Sequence, residues 1–110
     1  MMSAARLRRS RDIAAVRSDG RSLRRAAFAA RVRANDGQGT RLAVTAARTI
    51  GSAVVRNRAR RRVREAFRRQ SRAALASNLD IVVSVRPEAV SMEFPTLLTD
   101  AASVLQEAAR

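Results

Sequence analysis

The strongest constraint on this chain is a run of arginines along one predicted helix, in residues 51–69. Ser52 is a typical N-cap, and apolar side chains recur at three- and four-residue steps between Val55 and Phe67, which predicts an amphipathic helix. The segment carries eight arginines and a single acid, Glu65. Like charges at these spacings repel each other, and a merely solvated face normally mixes both signs. We therefore infer that this face meets a polyanion.

The overall charge agrees with that inference. The 110 residues carry a formal net charge of +14, and all 23 basic residues are arginine. A chain of this size is a single domain, and such a charge is typical of nucleic-acid binders. Arginine can donate two parallel hydrogen bonds to a phosphate. A bias in base composition also explains the absence of lysine, because alanine is equally abundant.

The arginines are unevenly distributed. Residues 1–33 hold ten and residues 41–72 hold eleven, whereas residues 73–110 hold two arginines and five acids. The first two thirds of the chain are therefore predicted to carry the interaction, and the last third to be scaffold.

The composition excludes several kinds of site. There is no cysteine and no histidine, so disulfides, Cys/His zinc sites, thiol nucleophiles and imidazole bases are absent. No apolar stretch approaches the roughly 20 residues that a membrane-spanning helix needs. The acids show no paired spacing, and no nucleotide or metal motif is present. We expect no membrane partner, no small-molecule substrate and no cofactor held by the protein.

Several elements can be predicted along the chain. Residues 1–9 resemble a flexible basic arm, and residues 10–18 a short helix that Ser10 caps and Gly20 ends. Residues 22–34 and 41–48 are predicted strands, joined as a hairpin by the glycine-containing turn at 35–39. A long helix over 53–76, a strand over 80–86 and a helix over 94–108 follow.

The predicted sheet has two different faces. One is aliphatic, and the other is built from small side chains edged by Arg31, Arg33 and Arg86. The small-residue face is either covered by a helix or open as a trough for single-stranded RNA, and the flanking arginines favour the trough. Phe28, Phe67 and Phe94 fall on aliphatic stripes, which predicts that all three lie in the core. The fold class is α+β: a single domain over residues 1–110, in the order α-β-β-(β)-α-β-α, with helices on one face of a small mixed sheet.

A detailed string of residues resembles one known family, the protein subunit of bacterial ribonuclease P. The string comprises Arg41-Leu42, Ile50-Gly51, Ala53-Val54-Val55, Arg56-Asn57-Arg58, Arg61-Arg62, Arg64-Glu65 and Phe67-Arg68. In element order the resemblance covers about residues 7–107. It implies a left-handed crossover between parallel strands, against the usual rule.

The resemblance also implies a function. Such a subunit binds a catalytic RNA in the cytoplasm, and that RNA removes the 5′ leader from precursor tRNA with Mg²⁺ in its own active site. The residues that would contact the RNA subunit are Arg56, Asn57, Arg58, Arg60, Arg61, Arg62, Arg64 and Arg68. Those that would line the leader cleft are Ile13, Arg17, Ala27, Ala29, Arg31, Arg33, Ala43, Thr45 and Arg86. Relatives often carry aromatic residues at positions 13, 17 and 31, so guanidinium planes would replace ring stacking here.

Some alternatives stay open. Asn57 is either a residue of the helix start or a group that orients an arginine or donates to RNA. The chain could also be a ribosomal or RNA-chaperone protein that binds many RNAs, or a protein nuclease that uses Asp80 or Glu65.

Overall fold

A five-stranded mixed sheet with three helices organises residues 4–109, the part of the chain that the computed structural model describes. The strands are β1 (Ala5–Arg6), β2 (Arg21–Arg24), β3 (Phe28–Ala34), β4 (Arg41–Thr45) and β5 (Leu79–Val85). The helices are α1 (Ser10–Asp19), α2 (Ala53–Arg68) and α3 (Phe94–Ala108). The strand order is β1-β4-β5-β3-β2. Within this range every helix is too short or too polar to cross a bilayer.

Strand β5 is the centre of the sheet. It pairs in parallel with β4 and antiparallel with all seven residues of β3. All its residues except Ser84 are buried, as expected for a strand covered on both faces. The connection from β4 through α2 to β5 is thus a parallel crossover, whose handedness stays a prediction.

The predicted hairpin between residues 22–34 and 41–48 is wrong. β3 and β4 both pair with β5, which lies between them. The turn itself is correct, since Gly37 and Gly39 have φ values of 77° and 74°. The hairpin in this region is instead formed by β2 and β3. The turn at 35–39 spans the width of β5, a strand that comes much later in the chain.

The two sheet faces are covered differently. α2 and α3 pack on the aliphatic face, where the rings of Phe28 and Phe67 lie 5.4 Å apart. α1 packs on the opposite face, where Val16 forms a small second cluster with Leu7 and Val82. The α+β sandwich is confirmed, but helices lie on both faces of the sheet. The small-residue face is therefore partly covered by a helix and partly open.

α2 is shorter than predicted, ending at Arg68 instead of near residue 76. The amide of Gln70 donates to the Ala66 carbonyl at 2.7 Å and to the Leu98 carbonyl at 3.1 Å. This side chain thereby satisfies a carbonyl at the helix end and ties that end to α3. Ser71 then starts a separate turn, because its hydroxyl accepts from the Ala74 amide.

The predicted flexible arm is also wrong from Ala5 onward. Ala5 and Arg6 pair with β4, and the Leu7 amide donates to the Leu42 carbonyl at 2.9 Å. The side chain of Leu7 is buried, and its burial explains why this segment joins the sheet. Residues 1–3 of the predicted arm lie outside the described range.

A buried carboxylate joins the elements around β5. Both oxygens of Asp80 accept from Arg41 of β4 at 2.7 Å, and Oδ1 also accepts from Asn35 at 2.9 Å. Arg41 reaches on to Asp12 of α1 at 3.7 Å. The hydrogen bond to Asp80 is the main reason that the pKa of Arg41 is raised. Asp80 and Arg41 together therefore link β5, β4, the turn after β3 and α1.

We predict that Asp80→Ala lowers the free energy of unfolding by about 3–5 kcal/mol, because it leaves the partly buried Arg41 charge without its main partner and removes the acceptor of one Asn35 hydrogen bond. Chemical denaturation followed by circular dichroism measures the change. The matched control is Asp19→Ala, which breaks an exposed pair with Arg33 at 4.0 Å and should cost at most about 1 kcal/mol. Both variants lose one negative charge, so equal losses would contradict the prediction.

Candidate nucleic-acid interface

The first basic surface is the outer side of α2. Ser52 caps the helix by accepting from the Val55 amide at 3.3 Å. The helix then buries Ala59, Val63 and Phe67 against the sheet, which turns the arginines outward. We call these arginines the α2 arginine face: Arg56, Arg58, Arg60, Arg61, Arg62, Arg64, Arg68 and Arg69.

Two exposed members of this face have no partner within residues 4–109. Arg58 and Arg61 are exposed, and neither makes a hydrogen bond or ion pair there. Asn57 is also exposed, and its side-chain oxygen accepts from Arg60. Of the alternatives for Asn57, the structure thus supports the one in which it orients an arginine. Arg58 and Arg61 are the arginines best placed to donate to a phosphate.

Other members are held by the protein itself. Arg62 donates to the backbone carbonyls of Val90 and Met92. Arg68 grips Glu65 with two hydrogen bonds of 2.6 and 3.1 Å, and Arg69 adds a third of 2.9 Å. These bonds lower the pKa of Glu65 to about 2. Glu65 is therefore ionised at neutral pH and fixes two arginines on the surface.

The inner flank of the α2 arginine face is crowded with positive charge. Arg64 is partly buried, and this burial is the main reason that its pKa is lowered. Repulsion from Arg6 and Arg60 lowers it further. The Nε atoms of Arg56, Arg62 and Arg64 are enclosed, with no acceptor among the described residues. Charges packed this closely raise the local potential, which attracts a polyanion.

The second basic surface lies around α1, on the other side of the sheet. One cavity of about 590 Å³ opens between α1 and the end of β4, and another of about 310 Å³ opens over β2, β3 and β5. Arg17 lines both. We call the two together the α1 groove, which includes Ser10, Ile13, Arg17, Ala29, Arg31, Thr45 and Ser84.

The α1 groove brings together five of the nine residues predicted to line a cleft: Ile13, Arg17, Ala29, Arg31 and Thr45. Arg31 is exposed and donates to the Gly20 carbonyl at 3.2 Å, which holds it at the rim. Small side chains at 29 and 84 leave the sheet backbone accessible. A single strand of nucleic acid could approach the sheet closely here.

Four predicted cleft residues lie elsewhere. Ala43 is half-buried against the small cluster beneath α1. Ala27 is fully buried in the main core, because it precedes β3 and the alternation of that strand does not extend to it. Arg33 faces Asp19 at 4.0 Å, and Arg86 faces Glu88 at 3.4 Å, so both are engaged in ion pairs, near the ends of β3 and β5.

Two residues at the α2 arginine face were missed or misplaced by sequence reasoning. Val54 is 78% exposed, although the apolar pattern of the helix starts beside it. Phe94 was predicted to lie in the core, but its ring is only partly buried and the Arg69 guanidinium lies 5.2 Å from its centre. A helical projection places Val54 opposite Val63, and this signal could have identified it.

The carboxylates suited to a protein nuclease are both engaged in structure. Asp80 is buried and bound by Arg41, and Glu65 is bound by Arg68 and Arg69. Within residues 4–109, no three acidic, histidine or cysteine side chains are grouped in a way that could share a metal ion.

Comparison with known proteins identifies the family of this chain. The family model described as Ribonuclease P matches residues 1–109. The ribonuclease P protein component of Chloroflexus aggregans is 37% identical over 109 residues, covering 98% of this chain and 80% of the relative. That of Symbiobacterium thermophilum is 40% identical over 98 residues, covering 88% and 84%.

Solved structures give the same assignment. The RNase P protein from Thermotoga maritima has a TM-score of 0.79 at 31% identity, covering 93% of this chain and 96% of that one. The Staphylococcus aureus RNase P protein has a TM-score of 0.77 at 27% identity, covering 96% and 95%. With a family model matched along nearly its whole length and a shared fold, this chain belongs to the ribonuclease P family, as its protein component.

Proposed function

We propose that this protein binds the RNA subunit of ribonuclease P through the α2 arginine face and holds the 5′ leader of precursor tRNA in the α1 groove. The observation that carries the proposal is the separation of two basic surfaces onto opposite sides of one sheet. With this arrangement one molecule can touch two polyanions at once. The proposal includes the cytoplasm as its location.

Contact with the RNA subunit would depend mainly on phosphates. Arg58 and Arg61 are exposed and without an internal acceptor, so they can donate to phosphate without breaking protein contacts. The arginines fixed by Glu65 and by the Val90 and Met92 carbonyls add positive potential at set positions. Half a dozen phosphate contacts would make binding fall roughly a thousandfold between 50 and 200 mM salt.

The leader would be held differently. The guanidinium groups of Arg17 and Arg31 border the α1 groove and can pair with phosphates or stack on bases. The hydroxyls of Thr45 and Ser84 lie 3.4 Å apart on the groove floor and offer polar contacts to the sugar. The groove therefore suits a single strand without sequence preference.

In this proposal the RNA subunit carries out the cleavage that removes the leader. Mg²⁺ in the RNA active site would supply an activated water and stabilise the charge that develops on the phosphate. The protein would lower the repulsion between the RNA subunit and the leader. Because Mg²⁺ also screens that repulsion, the protein should matter most when Mg²⁺ is scarce.

We predict that the purified protein, mixed with its own RNA subunit, accelerates leader removal from precursor tRNA at low Mg²⁺ concentration. The protein alone should cleave nothing. A gel assay of leader release, with and without protein, measures this at several Mg²⁺ concentrations. The acceleration should shrink as Mg²⁺ rises, because screening then replaces the protein.

A competition experiment in the same assay distinguishes this function from general RNA binding. Unrelated structured RNA at the concentration of the RNA subunit should leave the acceleration nearly unchanged. Equal competition would instead support a ribosomal or RNA-chaperone protein. Absence of any acceleration would contradict the proposal.

The two surfaces should also be separable by substitution. Arg58→Ala should weaken binding to the RNA subunit and reduce the slope of log affinity against log salt by about one, because one phosphate contact is lost. Arg31→Ala should leave this binding intact and weaken the capture of substrates with a leader. Filter binding to RNA subunit and kinetics on precursor tRNA measure the two effects.

The matched control is Arg21→Ala. Arg21 is an equally charged, exposed side chain that pairs with Glu107 of α3, away from both surfaces. It should change neither measurement by more than about twofold, as expected for an exposed ion pair. If Arg58→Ala and Arg31→Ala have the same effects, the two surfaces are functionally one.

A further inference from the structure

We propose that a groove between the first turn of α2 and the start of α3 binds an unpaired nucleobase of the RNA subunit. The inference rests on the proposed function and adds a contact of a different kind to the phosphate contacts. The groove, called here the Val54–Phe94 groove, has a volume of about 540 Å³ and is lined by Val54, Arg58, Arg61, Arg62 and Phe94.

The first observation is the exposure of Val54. Its side chain is 78% exposed, and no other large hydrophobic side chain in residues 4–109 is exposed. It lies beside Arg58 and Arg61 on the outer side of α2, where an apolar side chain contributes nothing to solubility. Burial of this side chain by a partner would remove apolar surface from water, which is favourable.

The second observation is the position of Phe94. Its partly buried ring lines the groove and also a smaller neighbouring cavity of about 260 Å³. The Arg69 guanidinium lies 5.2 Å from the ring centre, and Glu65 holds that guanidinium with a 2.9 Å bond. An aromatic ring with a fixed guanidinium is a surface on which a base can stack.

The charge around the groove indicates which class of ligand it binds. No carboxylate lines the larger cavity, whereas three arginines do. Glu65 borders the smaller cavity and is already paired with Arg68 and Arg69. An unpaired nucleotide presents a base with apolar faces and is flanked by backbone phosphates, so it matches an apolar floor with an arginine rim. An acidic peptide would satisfy the arginines and leave the floor unused.

The groove is also held in shape by the protein. Arg62 forms one wall, and its hydrogen bonds to the Val90 and Met92 carbonyls tie α2 to the segment before α3. Pro95 lies in the first turn of α3, directly after Phe94. Groups that are already ordered lose less entropy on binding.

Binding of the RNA subunit to groove variants tests the proposal. Val54→Ser should weaken affinity about fivefold, because it removes apolar contact. Phe94→Leu should weaken it between about five- and a hundredfold, because the stacking ring is lost. Neither should change the slope of log affinity against log salt, whereas Arg58→Ala reduces that slope by about one.

The control is Ala53→Ser, which changes the neighbouring exposed residue outside the groove and should have no effect on affinity. Val54→Ser keeps the test informative if Phe94→Leu disturbs folding, because Val54 is exposed and supports no core. If Val54→Ser binds RNA as Ala53→Ser does, the inference is overturned while the proposed function stands. If the unaltered protein fails to bind the RNA subunit, both are overturned.

A spectroscopic measurement reports on the base directly. The chain has no Trp and no Tyr, so Phe94→Trp introduces a single fluorophore in the groove. Its emission should be quenched when the RNA subunit binds, since a stacked base lies against it. Gln106→Trp, placed about 18 Å further along α3, should not respond. Equal quenching of both, or equal quenching of Phe94→Trp by polyglutamate, would overturn the inference.

Discussion

The structure depends most on the buried carboxylate of Asp80. It lies in the central strand, accepts two hydrogen bonds from Arg41 of β4 and a third from Asn35 in the turn after β3. Through Arg41 it also reaches Asp12 of α1. In a chain with a net charge of +14, a carboxylate at this point neutralises a guanidinium that would otherwise repel its neighbours. This contact, together with the packing of Val16 on Leu7 and Val82, holds α1 and hence the α1 groove against the sheet.

The arginines of the α2 arginine face differ in whether they have a hydrogen-bond acceptor within the protein. Arg62, Arg68 and Arg69 have partners within the protein, and these bonds fix the shape of the α2 arginine face. Arg58 and Arg61 have none within residues 4–109. Residue type alone does not reveal this division, since every member is arginine.

Much of the fold could be predicted because its signals are local. The cap at Ser52, the apolar steps of α2 and the glycines at 37 and 39 all behave as expected. The errors come from long-range pairing. β5 inserts between β3 and β4, and nothing in the turn at 35–39 reports a strand that comes 40 residues later. Ala27 and Phe94 were misplaced for a related reason, because a periodic pattern does not show where its element stops or what covers its end. The positive charge of the two surfaces could be predicted from the sequence. The hydrogen bonds and ion pairs that fix their side chains could not.

The crowding of positive charge beside Arg64 has a consequence for the free protein. Burial disfavours the charged form of Arg64, and the nearby charges of Arg6 and Arg60 add to this effect. Repulsion among these guanidinium groups therefore opposes folding of the free protein. Dissolved anions relieve this repulsion, and they also compete with RNA for the same guanidinium groups. Raising the ionic strength should thus stabilise the free protein while it weakens the proposed binding to RNA. Because native proteins are only marginally stable, such a salt-dependent change is a sizeable part of the total stability, and any polyanion that binds only the folded chain stabilises it further.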